Sequence, residues 1–438
     1  MQQLAKSSRP TSIRFRILSF IFVNVVINYM DRINLSVAAP GITDDLHLNS
    51  VQLGILFSAF GWTYAALQIP GGILVDRIIP RFLYSISLIA WSLVTLLLGL
   101  VKGFTGLLGL RLAVGVFEAP AYPINNRIVT SWFPDQERAS AIAVYTSGQF
   151  LGLAFITPAL TAIQYFVDWR GLFIITGMVG ILWGLLWYRL YRDPLDHTQV
   201  NDAELDHIEK GGGVINRHSG NKSIQSKFEW KNLMKVFSYR KLWGIYIGQF
   251  AVNSTLWFFL TWFPTYLVKY RHLDFLKSGF LASAPFLAAF AGLITSGFLS
   301  DYLVRKGVSM SIARKAPAIF GLLLSASIIG ANYVSSPALI IFFMALAFFG
   351  NGFATITWIF VSALAPKHLI GLTGGVFNFI GNLASIVIPI VIGFLARDGN
   401  FESALIFIGT ITIIGACSYI FLVGKVERIE VDELIESR

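Results

Sequence analysis

Long runs of apolar residues recur along nearly the whole chain and are separated by short polar stretches. An α-helix needs about 20 such residues to cross the roughly 30 Å hydrocarbon layer of a bilayer. The first run is too long for a cleavable signal peptide and lacks a small-residue cleavage pattern. The pattern predicts twelve transmembrane helices, over residues 15–38, 51–75, 82–101, 104–131, 139–163, 171–192, 242–268, 278–300, 315–333, 337–362, 370–396 and 403–424.

One polar segment, residues 193–240, interrupts this pattern, and it contains three consecutive glycines near its centre. Six predicted spans precede the segment and six follow it. We therefore predict an all-α membrane protein of two pseudo-symmetric bundles. These are an N-terminal six-helix bundle over 1–192, a cytoplasmic middle loop over 193–240, and a C-terminal six-helix bundle with a cytoplasmic tail over 241–438.

The composition supports a membrane protein and excludes other classes. The chain is 55% hydrophobic and 13% charged, with a mean hydropathy of +0.66. A soluble domain carries roughly 25% charged residues. Because Cys417 is the only cysteine, an extracellular disulfide scaffold is excluded.

The distribution of lysine and arginine predicts the orientation. Of the 34 basic residues, 26 lie on the side of the two termini, six lie on the opposite side and two lie inside spans. Because cytoplasmic loops collect Lys and Arg, both termini are predicted to be cytoplasmic. The same bias accounts for most of the net charge of +10, so the sequence requires no nucleic-acid partner.

The two halves share a short motif at the ends of spans 2 and 8. The first copy is Gly72-x-Leu74-x-Asp76-Arg77, and the second is Gly297-x-Leu299-x-Asp301 followed by Arg305. A glycine permits close helix contact, and an acid and a base can pair in one conformation and separate in another. We interpret the motif as a gate; the alternative is that each copy only orients its loop. The gating residues are Gly72, Asp76, Arg77, Gly297, Asp301 and Arg305.

Four charged residues fall well inside predicted spans: Asp31 and Arg32 in span 1, and Arg111 and Glu118 in span 4. Each costs on the order of 2.5–3.5 kcal/mol at a helix centre unless it is paired or hydrated. Arg111 and Glu118 are seven residues apart and therefore lie on one helix face. One interpretation is two buried ion pairs that lock the spans together. The other is a site where the arginines hold an anion and the carboxylates carry protons.

The second interpretation has a physical basis. A guanidinium grips a carboxylate through two parallel hydrogen bonds. The protonation of a neighbouring carboxylate then depends on whether an anion occupies the site, which couples proton and anion. Polar and aromatic side chains at matching depth serve either as ligand contacts or as hydrogen bonds between helices. They are Tyr64, Gln68, Gln149, Gln249, Trp257, Thr357, Trp358, Asn378 and Asn382.

The paired motif on six-plus-six spans resembles the major facilitator superfamily, whose two halves rock around a midplane site. In the first copy, Ile79 and Pro80 replace the glycine and the basic residue that are usual in that family. Several longer strings resemble the anion:cation symporter family, which includes bacterial sugar-acid transporters and vesicular glutamate and sialic acid carriers. They are Asn28-Tyr29-Met30-Asp31-Arg32, FEAPAYPINNR from Phe117, SWFPDQERASA from Ser131 and YTSGQFLGLAFITP from Tyr145.

Strings in the second half narrow the resemblance. STLWFFLTWFP from Ser254, ALAFFGNGFATITW from Ala345 and GLTGGVFNF from Gly371 are similar to the galactonate-transporting members, whereas Gly381-Asn382 is more similar to glucarate/galactarate transporters. The resemblance implies that Asp31 and Glu118 couple protons and that Arg32 binds the substrate carboxylate. Arg111 would pair with the acids or assist the anion. The sugar-acid site would also be lined by Tyr29, Tyr64, Gln149, Gln249, Thr357, Trp358 and Asn378.

We therefore expect a proton-coupled symporter that imports a sugar-acid anion, D-galactonate, by alternating access. It is expected to be a monomer in the lipid bilayer of the bacterial inner membrane, with protons as coupling ions and neither cofactor nor metal. The open alternatives are a glucarate/galactarate or hexuronate:proton symporter, an exporter, and an uncoupled organic-anion facilitator. A membrane enzyme or receptor belongs to another class, and the sequence lacks the GxxxxGK(S/T), HExxH and His/Cys patterns that would favour an enzyme.

Overall fold

The computed structural model describes residues 9–215, 230–366, 369–397 and 399–429. The remaining residues of the two predicted bundles and of the predicted middle loop lie outside this description. In the first part of the chain six helices follow one another. They are α1 (Ile13–Leu46), α2 (Ser50–Arg77), α3 (Pro80–Leu98), α4 (Phe104–Glu118), α5 (Ala121–Trp132) and α6 (Asp135–Leu190).

Short helices follow in the middle segment: a 3-10 turn (Pro194–Asp196), α7 (Asp202–Lys210) and α8 (Trp230–Ser238). The last part of the chain begins with α9 (Arg240–Thr261), α10 (Phe263–Thr265) and a π-helical turn (Tyr266–Tyr270). It continues with α11 (Phe275–Leu281), α12 (Ser283–Arg305), α13 (Met310–Ser325), a 3-10 stretch (Ala326–Tyr333), α14 (Pro337–Ala354) and a 3-10 turn (Thr355–Trp358). It ends with α15 (Ile359–Leu364), α16 (Ile370–Asn382), α17 (Ala384–Leu395) and α18 (Glu402–Phe421).

In the described part of the chain, ten helical segments are long and apolar enough to cross a membrane. One of them, α6, has 56 residues and would span about 84 Å as a straight helix. It contains a sharp break at Asp168, where φ is 60° and ψ is −178°, so it crosses twice. The helix α9, continued by Phe263–Thr265 and Tyr266–Tyr270, forms a further crossing. The predicted twelve-helix, all-α fold is confirmed.

The Asp168 side chain stabilises the break in α6. Its Oδ1 accepts hydrogen bonds from the backbone N–H groups of Arg170 (2.6 Å) and Gly171 (3.2 Å). These are N–H groups that the start of a new helix leaves without an intrahelical partner. The sixth crossing therefore begins at this break, which lies between the predicted end of span 5 at residue 163 and the predicted start of span 6 at residue 171.

The two ends of the molecule differ in how the halves meet. We call the end with the loops after Arg77 and after Arg305 the motif face, and the other end the opposite face. At the opposite face α2 and α17 touch closely. A Cβ on Gly54 would lie 2.5 Å from the Pro389 carbonyl oxygen, and one on Gly393 would lie 2.6 Å from the Ser50 carbonyl oxygen. Only glycine permits this approach of the two helices.

The described part of the middle segment contains short helices. Asn201 caps α7 by accepting a hydrogen bond from the Glu204 N–H at 3.0 Å. The buried Glu204 carboxylate accepts hydrogen bonds from the N–H groups of Ile13 (3.1 Å) and Arg14 (3.2 Å) at the start of α1. The α7 helix therefore docks on the first bundle at the motif face.

Candidate substrate and proton site

A buried ion pair between α1 and α4 forms the centre of the candidate site. Glu118 Oε1 lies 2.7 Å from Arg32 Nε and 2.6 Å from Arg32 Nη2. Arg32 is 7% exposed and Glu118 is fully buried. Glu118 is the last residue of α4, and Pro120, which has no N–H to continue the helix, lies in the break before α5.

Three aromatic rings enclose the Arg32 guanidinium. Its central carbon lies 4.9 Å from the centroid of Tyr29, 5.0 Å from that of Phe60 and 5.0 Å from that of Tyr64. The faces of aromatic rings attract cations at such distances, and the attraction is stronger away from water. The rings therefore stabilise the charge of Arg32 and restrict the positions that its planar group adopts.

Asp31 faces a different neighbour from Glu118. The indole Nε1 of Trp91 on α3 donates a hydrogen bond to Asp31 Oδ2 at 2.9 Å, and Asn34 Nδ2 lies 3.3 Å from Oδ1. Arg111 donates to the backbone carbonyl oxygen of Asp31 at 3.2 Å. The four intramembrane charges are thus brought together. Among these four residues, Arg32 and Glu118 are the pair whose side chains form a direct ion pair in the described structure.

The predicted lining residues form smaller groups around this centre. Within the first bundle, the Tyr29 hydroxyl donates to Gln149 Oε1 at 2.8 Å. Within the second bundle, the Thr357 hydroxyl donates to Gln249 Oε1 at 2.8 Å. The hydrogen bonds of the described residues do not connect the Gln249–Thr357 group with Arg32.

Two contacts bridge the bundles near this level. Asn378 Nδ2 donates to Gln68 Oε1 at 3.2 Å. Trp257 of the second bundle is buried, with its ring 6.1 Å from that of Phe60. Trp358 is half exposed, and its ring packs edge-on against Phe377.

In this conformation the glycines of the paired motif are not packed against a neighbouring helix. A Cβ on Gly72 or on Gly297 would meet no atom within 4 Å, so neither glycine makes the close helix contact that the motif permits. Arg314 Nη1 lies 3.1 Å from Asp301 Oδ1, whereas Arg305 is exposed.

The first copy of the motif is held by a residue that the sequence pattern did not single out. Arg127 of α5 donates hydrogen bonds to the carbonyl oxygens of Val75 and Ile78 at the end of α2. Arg77 is exposed. The side chain of Asp76 lies outside the described part of the structure.

Trp91, Asn34 and Phe60 are site residues that sequence reasoning missed. Trp91 lies in a span with no other sign of function, and no motif marks its donor bond to Asp31. Asn34 could have been found, because it lies three residues after Asp31 on the same helix face. Phe60 had a similar signal, since it precedes Tyr64 by one helical turn on α2.

A family model described as Major Facilitator Superfamily matches residues 21–313. A D-galactonate transporter of Escherichia coli O6:H1 is 51% identical over 424 residues, covering 97% of this chain and 98% of that protein. A probable galactarate/D-glucarate transporter of Bacillus subtilis is 40% identical over 430 residues, covering 97% and 94%.

Solved structures share the fold at low sequence identity. A bacterial homologue of the human lysosomal transporter Spinster, inward-facing and unoccupied, has a TM-score of 0.74 at 18% identity over 94% of this chain and 97% of that one. A D-xylose-proton symporter has a TM-score of 0.71 at 14% identity, over 94% and 98%.

The fold and the buried charges on the first and fourth crossings define a multi-pass membrane transporter rather than an enzyme. The relatives named above are transporters, and they match this chain over nearly their whole length. The chain belongs to the Major Facilitator Superfamily.

Proposed function

We propose that the chain imports a sugar-acid anion together with protons, with D-galactonate as its substrate. The observation that carries the proposal is the fully buried Glu118 carboxylate on Arg32. The relative that is 51% identical is named a D-galactonate transporter, which supports the choice of substrate.

The ion pair provides a coupling mechanism by competition. A substrate carboxylate and the Glu118 carboxylate compete for the guanidinium of Arg32. Two anions bound to one buried cation repel each other. Protonation of Glu118 removes its charge and frees Arg32 for the substrate. Deprotonation restores the pair and displaces the substrate. Binding of a proton and binding of the anion therefore favour each other, which is the requirement for symport.

Asp31 is the second proton carrier in this proposal. Its carboxylate is buried next to the Arg32–Glu118 pair and is held by Trp91 Nε1 and Asn34.

In the bacterial inner membrane, with both termini cytoplasmic, the opposite face meets the acidic side. A monomer with protons as its only coupling ion is sufficient for this cycle.

The uncharged polar residues of the second bundle suit an aldonate. Gln249, Thr357 and Asn378 offer amide and hydroxyl groups to the sugar hydroxyls. A galactarate or glucarate ion has a second carboxylate, and none of these three side chains supplies the cation that it would need. The second carboxylate therefore favours D-galactonate over the aldarates galactarate and D-glucarate, which the name of the 40% identical relative gives as its substrates.

The aldarate alternative rests on Gly381. A Cβ there would lie 2.8 Å from Gln249 Cγ and 2.9 Å from Asn253 Nδ2, so glycine at this position lets the Gln249 chain lie against α16. Gly381-Asn382 is also the string that resembles the glucarate/galactarate transporters. Substrate choice between the two groups is therefore the first matter to measure.

The test is the pH of the medium around de-energised proteoliposomes. Adding D-galactonate should make the medium alkaline, because protons enter with the anion, and D-glucarate added in parallel should not. A response to D-glucarate alone would keep the symport mechanism and move the substrate to the aldarates. Entry of labelled substrate with no pH change would contradict coupling.

Glu118→Gln separates coupling from binding. The variant should retain exchange of labelled for unlabelled galactonate, because glutamine resembles the protonated acid, and it should lose accumulation driven by a proton gradient. Glu209→Gln, an exposed residue on α7, is the matched control and should accumulate substrate normally. An uncoupled facilitator would show equal transport in both variants.

A further inference from the structure

A polar cavity lies far from the buried charges, at the motif face of the second bundle. It has a volume of about 640 Å³ and is lined by Tyr239, Arg240, Lys241, Glu427, Arg428 and Ile429. Three cations and one carboxylate give its walls a net charge of +2. We call it the interfacial cavity. Its charge predicts an anionic ligand.

Hydrogen bonds fix two of the cations at the ends of membrane-crossing helices. Arg240 Nη2 donates at 3.0 Å to the carbonyl oxygen of Phe421, the last residue of α18. Arg428 Nη2 donates at 3.0 Å to the carbonyl oxygen of Ser362, near the end of α15. The interfacial cavity therefore lies at the boundary between hydrocarbon and water, where lipid headgroups lie.

The surroundings of the interfacial cavity are apolar and exposed. Trp243, one turn into α9, is 41% exposed, and Phe421 and its neighbour Ile420 are 67% and 45% exposed. A soluble anion gains nothing from such surfaces, whereas acyl chains pack against them. Tryptophan is also enriched at this depth of membrane proteins, because its ring is amphipathic.

The helix α8 extends the apolar surface along the membrane. Leu233, Val236 and Phe237 pack against the second bundle, while Trp230 and Met234 are 72% and 67% exposed on another face. Exposed apolar side chains one helical turn apart are typical of a helix that lies in the membrane interface. Tyr239 then turns the chain from α8 into the spanning helix α9.

We propose that the interfacial cavity binds the phosphate of an anionic phospholipid, whose acyl chains lie along Trp243 and Phe421. Arginine and lysine form charge-assisted hydrogen bonds with phosphate oxygens. Basic pockets between helices at the cytoplasmic side of membrane proteins attract anionic headgroups in this way. The proposal concerns a lipid site and is independent of the transported substrate.

The test uses the full chain in phosphatidylcholine vesicles that contain phosphatidylglycerol with brominated acyl chains, which quench nearby tryptophan fluorescence. Comparison with Trp243→Phe isolates the Trp243 signal. Brominated phosphatidylglycerol should quench Trp243 more strongly than brominated phosphatidylcholine at the same mole fraction. The preference should fall about fivefold for each cation removed, and almost vanish in Arg240→Gln/Lys241→Gln/Arg428→Gln.

The matched control removes three cations from the same face of the first bundle, in Arg16→Gln/Arg189→Gln/Lys210→Gln. It should keep the full preference, and an equal loss there would show diffuse surface charge and overturn the proposal. Arg240→Lys/Arg428→Lys, which retains the charges, should keep most of the preference and checks that the cavity variant has not merely misfolded.

Two further arms exclude other occupants of the interfacial cavity. Inorganic phosphate should leave the preference unchanged, and displacement of the lipid signal by phosphate would indicate a site for free anions instead. The sequence after Ile429 contains four acidic residues. A chain that ends at Ile429 should bind phosphatidylglycerol as the full chain does, and binding only after truncation would identify the terminal segment as the occupant.

Discussion

The guanidinium of Arg32 is held by an acid at its edge and by aromatic rings around it. These contacts determine whether another cation could replace it. Glu118 lies at the edge of the guanidinium, within 2.7 Å of Nε and Nη2, while Tyr29, Phe60 and Tyr64 surround it. A lysine ammonium has no planar fork and fewer fixed donor directions. The site therefore depends on the shape of the cation as well as on its charge.

Arg32→Lys is predicted to weaken galactonate binding about 10- to 150-fold, the equivalent of one hydrogen bond to a charged group. Binding should be measured by calorimetry at fixed pH, with Arg16→Lys, an exposed arginine on the same helix, as the control. Unchanged affinity would remove Arg32 as the residue that binds the substrate carboxylate.

Sequence reasoning found the charged residues of the site because a charge inside an apolar span is costly and marks a functional position by default. It did not find how they pair. Arg111 was expected to pair with the acids or to assist the anion, and in the structure it donates a hydrogen bond to the backbone carbonyl oxygen of Asp31. Such a contact depends on the rotation of α4 against α1, which a one-dimensional pattern does not contain. The same holds for Trp91, since only tertiary packing places its Nε1 on Asp31.

At the scale of elements, α7 acts as a clamp on the start of α1. Glu204 is fully buried and also accepts hydrogen bonds from the Thr11 hydroxyl (2.6 Å) and from Arg14 Nη1 (3.1 Å). Each donor would lose its partner if α7 moved away. The clamp therefore couples the middle segment to the first crossing.

Glu204→Gln is predicted to loosen this clamp at a cost of about 1.5–3 kcal/mol, because it removes the charge that strengthens the hydrogen bonds from Arg14, while Arg14 keeps its ion pair with Glu137. Amide hydrogen exchange of α7 and of the first turn of α1 should rise together, with a lower temperature of unfolding in detergent. Glu209→Gln on the exposed side of α7 should change neither quantity. Faster exchange in α7 alone would contradict the coupling to α1.

The clamp should also respond to pH through Glu137. Burial raises the pKa of Glu137, but hydrogen bonds from Arg14 and His207 outweigh it, and the pKa is lowered overall. A lowered carboxylate pKa stabilises the folded state above the ordinary value of about 4.3. That stability is lost as the pH falls through the lower pKa of the folded protein.

The measurement is the unfolding temperature of the wild type and of Glu137→Gln between neutral pH and about pH 3. The wild type should be more stable at neutral pH, and the difference should disappear only below about pH 4. A difference that stays constant with pH would show that Glu137 contributes by packing rather than by charge.

The elements themselves were predictable where hydrophobicity alone decides them. The twelve apolar runs correspond to crossings, although α1 continues past residue 38 to Leu46. The α7 helix was not predicted, because the polar composition of residues 193–240 indicated a loop and the helix start signal at Asn201 was not used. Asn201 followed by Glu204 forms a cap, and Gly211 ends the helix. Breaks such as the one between α16 and α17 have no comparable signal.

At the scale of the whole molecule, contacts between the bundles are concentrated at the opposite face. Ser36 donates a hydrogen bond to the Thr261 carbonyl oxygen, and Lys269 forms an ion pair with Asp44. The glycine contacts between α2 and α17 lie at the same end. The conformation is therefore closed there, and it must separate these contacts to admit substrate from that side.

Asp44→Lys is predicted to shift the population toward opening at the opposite face, because it places two cations where an ion pair joins the bundles. Asp44 is 70% exposed and Lys269 is 32% exposed, so the lost pair contributes only about 0.2–1 kcal/mol, a change of about 1.4- to 5-fold in the ratio of states. The like-charge repulsion adds to this. The double variant Asp44→Lys/Lys269→Asp should restore the original ratio.

The ratio can be measured from distances between spin labels on His47→Cys and His272→Cys, two exposed positions at this face, with Cys417→Ser in the background. Asp45→Lys is the matched control. Asp45 lies beside Asp44, but its partner Arg170, at 2.5 Å, belongs to the same bundle. Because that pair does not join the bundles, its loss should leave the distances unchanged. If Asp45→Lys opened this face as much as Asp44→Lys, total charge would govern the equilibrium rather than the contact between the bundles.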